Sequence, residues 1–338
     1  MSVTELFEVT DKVDQTDLQL GADGRLRHLL TMHGLGRRQI TNLLDEAELY
    51  LSDIGQPVIR TDALRGRTVA NLFFEPSTRT RASFDLAARR LGADVLNLDV
   101  NTSSRKKGES ILDTIYTLQA MQVDVFVVRD AQAGVPAYIA RHANDHVSIL
   151  NAGEADVAHP TQALLDLLTI RLHKGDFENT TVAIVGDIAH SRVARSASEA
   201  LVTMGVKELR LISPTSLAPE DGTVPPQARV LHNLDEGVRG ADVVMALRIQ
   251  RERIGNIDGV PGIDEYFANY GVSHERMKLA APGAIIMHPG PMNRGVEIMS
   301  DVADGERSVI LEQVTNGVSV RMAVLYLLSG GVEREVAA

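Results

Sequence analysis

Apolar positions along this chain fall in short continuous runs that alternate with stretches of helical period. Thr68–Phe74 predicts a buried strand, and Arg81–Leu91 repeats its apolar residues at helical spacing and stops at Gly92. Further strands are predicted at Ala93–Val100, Val123–Arg129 and Val147–Asn151, with helices at Ser110–Met121 and Val135–His142. A longer helix is predicted from Pro160 to His173, with Leu164, Leu165, Leu168 and Leu172 at helical spacing. The second half repeats the style. Strands are predicted at Thr181–Gly186, Leu209–Ser213, Ala241–Arg248 and Ala284–His288, and helices at Arg192–Met204 and Val309–Leu328, the last with a broad apolar face. Strands alternating with helices of this length imply parallel sheets covered on both faces. The fold class is α/β, with two doubly wound parallel-sheet domains joined near the Pro160–His173 helix. The chain's 338 residues exceed the roughly 250–300 at which one core stops growing, which agrees with two domains.

Composition narrows the function. The formal net charge of -11 argues against a nucleic-acid partner, because phosphate backbones reward clustered positive charge. An anionic ligand must then be held by a local basic pocket inside an acidic protein. The chain has no cysteine, which excludes disulfides, thiolate metal sites and thiol nucleophiles. No apolar run is long enough for a membrane span, and residues 1–24 lack the order of a signal peptide, so the expected compartment is cytoplasmic. Those first 24 residues are polar and irregular, and read as a mobile tail or an arm to a partner.

In doubly wound folds ligands sit beyond the carboxyl ends of the strands. The run Phe73-Phe74-Glu75-Pro76-Ser77-Thr78-Arg79-Thr80-Arg81 lies at such an end. An apolar strand stops, Pro76 breaks it, and a hydroxyl- and arginine-rich segment opens a helix. Free backbone N–H groups at a helix start, three hydroxyls and a guanidinium together make a phosphate cradle without a glycine-rich loop. A lone Ser-Thr-Arg would be an ordinary cap with solvated arginines; the full run after a strand favours the cradle.

With its companion motifs this run resembles the transcarbamoylase family. Ser77-Thr78-Arg79-Thr80-Arg81 is similar to that family's carbamoyl phosphate signature, and Ser103-Ser104-Arg105-Lys106-Lys107-Gly108-Glu109 to its mobile loop. Arg129 ends a strand where the family places a phosphate and carbonyl ligand. His159-Pro160-Thr161-Gln162, Gly186-Asp187 through Arg192, Arg248-Ile249-Gln250 and His288-Pro289-Gly290-Pro291 follow in the family's order. The resemblance covers roughly residues 25–335. It implies an N-terminal extension at 1–24, a carbamoyl phosphate domain at 25–158 completed by a C-terminal helix at 306–335, and an aspartate domain at 159–305. Ser104-Arg105 departs from the residues often found at that point of the loop.

The implied reaction moves a carbamoyl group from carbamoyl phosphate to the amine of L-aspartate, in pyrimidine biosynthesis. Ser77, Thr78, Arg79 and Thr80 would hold the phosphate and stabilise it as it leaves. Thr80, Arg129 and His159 would face the carbonyl oxygen as it becomes an oxyanion, His159 as a neutral donor. Gln162 and the backbone carbonyls of Pro289 and Gly290 would accept from the carbamoyl NH2 group. Ser103, Lys107, Arg192, Arg248 and Gln250 would hold aspartate, with Lys107 also among the catalytic residues. Three cations suit a dicarboxylate and reject the cationic side chain of ornithine. The ornithine branch also carries a cysteine in the turn matching His288–Pro291, which this chain lacks. The resemblance further implies a homotrimer with shared active sites, Ser103 and Lys107 reaching a neighbour, and for some bacterial members a dihydroorotase or dihydroorotase-like subunit. No cofactor and no metal is expected.

Two other classes compete. A dinucleotide-binding oxidoreductase needs three glycines where Ile184–Ser191 has one. A catalytically dead scaffold would have lost side chains that are all present here.

Overall fold

The computed structural model describes residues 15–98, 110–249 and 261–331. The first sheet is built from β1 (Thr68–Phe73), β2 (Asp94–Leu98), β3 (Val125–Asp130) and β4 (Ser148–Glu154), in the order β2-β1-β3-β4. The second contains β5 (Thr181–Val185), β6 (Glu208–Ile212), β7 (Arg229–Leu231), β8 (Val243–Ala246) and β9 (Ile285–Met287), in the order β7-β6-β5-β8-β9. Every strand pair in both sheets is parallel. Strands β3, β4 and β5 are buried along their whole length, as strands of sheets covered on both faces require. β2 is different: it is an edge strand with no buried residue.

The strand order fixes where ligands fit. The chain runs outward from β1 to β2 and then returns past β1 to β3, so the first switch point lies between β1 and β3. By the same logic the second lies between β5 and β8. At a switch point the loops leave in opposite directions and open a crevice beyond the strand ends.

Helices join the two sheets. The Pro160–Lys174 helix carries buried residues around most of its surface and packs against the Arg192–Thr203 helix and the long Ile310–Leu328 helix. The Ile310–Leu328 helix starts beside the second sheet, where the Val309 N–H donates to the Ile286 carbonyl at 3.0 Å. It then crosses to pack on the Arg37–Glu48 and Thr78–Arg90 helices. One apolar cluster therefore includes Val69 and Val127 of the first sheet, Val182 and Val243 of the second, and Val320 and Met322–Leu325 between them.

Most predicted elements are present with ends moved by one to three residues. The shift that matters is in the helix predicted from Arg81, which begins at Thr78 with Ser77 as its cap residue. Thr78, Arg79 and Thr80 thus occupy the first turn itself, where N–H groups have no intrahelical acceptor. Residues 15–24 are not a loose tail. Thr16–Gln19 is a short helix, and the buried Gln19 side chain accepts from the Leu30 and Thr31 N–H groups at 2.9 Å each and donates to the His33 carbonyl. The Arg37–Glu48 helix was not predicted, although Ile40, Leu43, Leu44 and Ala47 bury at helical spacing.

Phe84 is fully buried under the C-terminal helix, with the Arg321 guanidinium 4.9 Å from its ring centroid. Phe84→Ala is expected to destabilise the chain by about 3–5 kcal/mol, read as a lower urea midpoint for the first unfolding transition. A midpoint within error of wild type would mean that this junction does not carry the packing described.

Candidate active site

Both switch points carry the residues singled out in the sequence. At the first, the segment Phe74–Thr80 follows β1, and Arg129 lies within β3 near its end. At the second, Gly186–Arg192 follows β5 and Leu247–Arg248 follows β8. His159 comes after β4, and His288–Gly290 after β9.

The centre of this arrangement is Glu75, which lies in the Phe73–Arg81 run but was assigned no role from sequence. Its Oε1 accepts from Arg129 Nη2 at 2.7 Å and from Arg192 Nη2 at 2.9 Å, and its Oε2 accepts from Arg192 Nη1 at 2.9 Å. One carboxylate of the first domain thus holds a guanidinium from each domain, and Arg192 grips it with both terminal nitrogens. Burial pushes the Glu75 pKa up, but the hydrogen bonds and charges of Arg192 and Arg129 outweigh burial and hold it below the ordinary value. Each arginine is also anchored to backbone: Arg129 Nη1 donates to the Ala152 carbonyl at 3.1 Å, and Arg192 Nη1 to the Ala155 carbonyl at 2.9 Å.

Gly153 makes room for both. Its φ is +122°, and a Cβ there would lie 2.6 Å from Arg129 Nη1 and 3.3 Å from Arg192 Cζ. Neither guanidinium has space to retreat without leaving its carbonyl anchor. Gly186 has a similar task after β5, with φ +139° and the Leu247 carbonyl oxygen 2.5 Å from its would-be Cβ. That close approach brings the start of the Arg192 turn against the strand end that carries Arg248. The turn is fixed by the fully buried Asp187, whose Oδ1 accepts from His190 Nδ1 at 2.8 Å, and by Ser191, whose Oγ caps the Arg192 helix through the Ala194 N–H.

The phosphate-cradle residues are more open. Arg79 and Thr78 are exposed, and Ser77 Oγ is 2.9 Å from Thr80 Oγ1, so these hydroxyls are occupied with each other rather than with the helix N–H groups. A Cβ on Gly290 would sit 3.6 Å from Arg79 Cζ, which places the Arg79 guanidinium beside the turn after β9. The turn is held by His288: its Nδ1 accepts from the Gly290 N–H at 2.8 Å, so Nε2 carries the hydrogen toward Glu297 Oε1 at 3.2 Å.

His159 is buried, its N–H donates to Ser196 Oγ at 2.9 Å, and its Nδ1 has no hydrogen-bond partner among the described residues. Burial, followed by the charges of Arg192, Arg129 and Arg321, pushes its pKa well below the ordinary histidine value. Gln162 is buried one turn along the same helix and donates from Nε2 to Asp166 Oδ1 at 3.0 Å. Arg248 is half-buried beyond β8. Ser103, Lys107 and Gln250 lie outside the described residues. Among those described, no group of three or more His, Asp and Glu residues could hold a metal ion, and no helix is long and apolar enough to cross a membrane.

Comparison with known proteins gives this geometry a family. The aspartate/ornithine carbamoyltransferase carbamoyl-P binding domain matches residues 27–172, and the aspartate/ornithine carbamoyltransferase Asp/Orn binding domain matches residues 178–328. The chain belongs to the aspartate/ornithine carbamoyltransferase family. Among solved carbamoyltransferases, aspartate transcarbamoylase from Trypanosoma cruzi in complex with carbamoyl phosphate and aspartate is 31% identical, with 92% of this chain and 99% of that one covered at a TM-score of 0.80. The same enzyme in complex with N-(phosphonacetyl)-L-aspartic acid is 30% identical over 93% and 99% of the two chains, at 0.79. Ornithine carbamoyltransferase from Thermus thermophilus is 29% identical over 89% and 98%, at 0.78. Both acceptor branches of the carbamoyltransferase family therefore share this fold, and the acceptor must be argued from side chains.

Gly153→Ala should displace Arg129 and Arg192 together. The expected result is at least a tenfold loss of carbamoyl transfer, since about 1 Å of misplacement in a catalytic group can cost 10²-fold. Steady-state rates beside a circular dichroism spectrum check it; wild-type rates would show that the two guanidinia tolerate a side chain there.

Proposed function

We propose that this chain transfers the carbamoyl group of carbamoyl phosphate to the amine of L-aspartate, forming N-carbamoyl-L-aspartate and phosphate in pyrimidine biosynthesis. The observation that carries the reading is the bidentate grip of Arg192 on a carboxylate, beside Arg129 at the facing switch point. In the working enzyme Arg192 takes the α-carboxylate of aspartate. Arg248, with Gln250 and Lys107, takes the side-chain carboxylate. Ser77, Thr78, Arg79 and Thr80 surround the phosphate, where the first-turn N–H groups and the helix dipole favour negative charge.

The amine nitrogen attacks the carbamoyl carbon, the carbonyl oxygen gathers charge, and the C–O bond to phosphate then breaks. Thr80, Arg129 and His159 donate to that oxygen. Burial lowers the pKa of His159, which leaves it a neutral donor and a weak base, so the amine proton passes to the departing phosphate. Gln162 and the Pro289 and Gly290 carbonyls accept from the carbamoyl NH2 group. The chain's lack of cysteine and its cationic acceptor pocket favour aspartate over ornithine.

The same reading takes residues 25–158, closed by 306–335, as the carbamoyl phosphate domain and 159–305 as the aspartate domain. It also takes the working unit as a homotrimer in which Ser103 and Lys107 serve a neighbour's site. β2 supports this: it is an open edge, Leu86 and Leu96 are exposed at 45% and 37%, and the chain passes from β2 directly into the loop segment. A dihydroorotase or dihydroorotase-like subunit, reached through residues 1–24, completes the assembly.

The function is tested by incubating the protein with carbamoyl phosphate and either aspartate or ornithine. Carbamoyl aspartate is the expected product, and citrulline in its place would move the chain to the other branch. Arg79→Ala should lower kcat by about 10²–10³, the usual loss for one preorganised donor, and wild-type turnover in that variant would remove this segment from the phosphate site.

Sharing of sites has its own test. Arg79→Ala and Lys107→Ala assemblies should each be nearly inactive, and dissociating and reassembling a mixture should restore activity through sites that combine one intact residue from each chain. Inactivity in proven mixed trimers would assign the loop to its own chain.

A further inference from the structure

Behind Gln162 lies a chain of hydrogen bonds whose direction follows from a backbone donor when Asp166 Oδ1 carries no proton. It begins at the His288 backbone N–H, which can only donate, and which meets Gln313 Oε1 at 2.8 Å. That contact fixes the Gln313 amide, so its Nε2 is the atom that faces Asp166 Oδ1 at 2.8 Å. Asp166 Oδ1 is then an acceptor, and its second contact, with the Gln162 amide at 3.0 Å, must be made by Gln162 Nε2. The Gln162 amide oxygen is therefore turned away from Asp166. All of these groups are buried, Gln162, Asp166 and Gln313 at no more than 8% exposure, so water does not offer an alternative set of partners.

We propose that Asp166 is a positioning residue for carbamoyl recognition: it fixes the Gln162 amide with its oxygen outward, as an acceptor for the carbamoyl NH2 group. Through Gln313 the same carboxyl is tied to the His288–Gly290 turn, whose carbonyls are the other acceptors. One buried carboxyl thus orients the Gln162 amide and links it to the turn on the other flank of the carbamoyl nitrogen. This inference rests on the function proposed above.

Charge at Asp166 is not what the role needs. Burial pushes its pKa up to about 7 against the hydrogen bonds from Gln313 and Gln162 and the nearby Arg321 charge. Its Oδ2 has no partner among the described residues, so a proton can rest there while Oδ1 still accepts twice. An asparagine with its oxygen in the Oδ1 place would do the same work. A leucine of similar volume would not, and the Gln162 amide would be free to present its NH2 group to the substrate's NH2 group.

The experiment compares carbamoyl phosphate with acetyl phosphate, which carries a methyl group where the substrate carries NH2. In wild type and the variants one measures the KM for carbamoyl phosphate, the inhibition constant of acetyl phosphate against it, and the melting temperature. Asp166→Leu should raise the carbamoyl phosphate KM roughly tenfold, the scale of one hydrogen bond lost and another opposed, while acetyl phosphate binds within about twofold of wild type. Asp166→Asn should restore discrimination. If both ligands weaken equally in Asp166→Leu, or if neither does, Asp166 is a structural residue only and the proposal fails. Should the leucine variant not fold, Asp166→Ala carries the same expectation and the same reversal. A wild-type protein that does not consume carbamoyl phosphate would overturn the proposed function instead, so the two failures are told apart.

Discussion

Everything around the candidate site follows from having to gather cations where little water reaches them. A dianionic phosphate and a dicarboxylate require several positive groups at one place, in a chain whose net charge is -11. Arg129 and Arg192 have side chains only 8% and 10% exposed, and in the absence of another anion each would be a buried charge facing its like. Removing one partner from such a buried pair typically costs about 3–5 kcal/mol. Glu75 supplies the missing anion. Since Arg129 belongs to the first sheet and Arg192 follows a strand of the second, the carboxylate that neutralises them also holds the two switch points face to face. Burial, and then the cations around it, keep the His159 ring neutral, which suits a donor to an oxyanion and makes a poor base. One electrostatic constraint therefore accounts for an interdomain contact and a glycine without a Cβ, and adds to what keeps a histidine neutral.

Much of this was legible in the sequence, and the reason is topological. Parallel strands end on one side of each sheet, so residues placed just after apolar runs converge in space even when far apart in the chain. That is why the run around Arg79 could be singled out from its place after a strand, while Arg129, His159, Arg192, Arg248 and Gly290, which the family resemblance named, also lie at strand ends. What stayed hidden depends on pairings that no local pattern encodes. Glu75 stood in the quoted motif, yet only tertiary structure shows that it takes two arginines instead of solvent. Gly153 sits at the end of a strand like any small residue, and its need for a positive φ appears only once the guanidinia are in place. Asp166 did leave a signal, four residues after Gln162 on the same helical face, but it lay within a helix read for its leucines. The helix was bounded at Arg81 because the apolar pattern that carries the prediction begins only there, although the Ser77–Thr80 segment already reads as its opening.

The family covers two acceptors, so the fold cannot select between them, and neither can the residues common to both. The phosphate cradle sees the same donor substrate in either case. On the function proposed above Arg192 would take the α-carboxylate, which aspartate and ornithine both possess. Selection must come from what meets the acceptor's side chain, beyond β8, where Arg248 stands. Unit charges roughly 5 Å apart at an effective dielectric near 20 interact by about 3 kcal/mol, a factor of roughly 10² in affinity. That interaction favours a side-chain carboxylate and opposes an ammonium, so the difference between acceptors is about twice as large on a logarithmic scale. On the proposed reading Arg248 at this strand end would favour the aspartate branch, together with Lys107 and Gln250, without any change in the phosphate cradle or in the Glu75 contact between the domains.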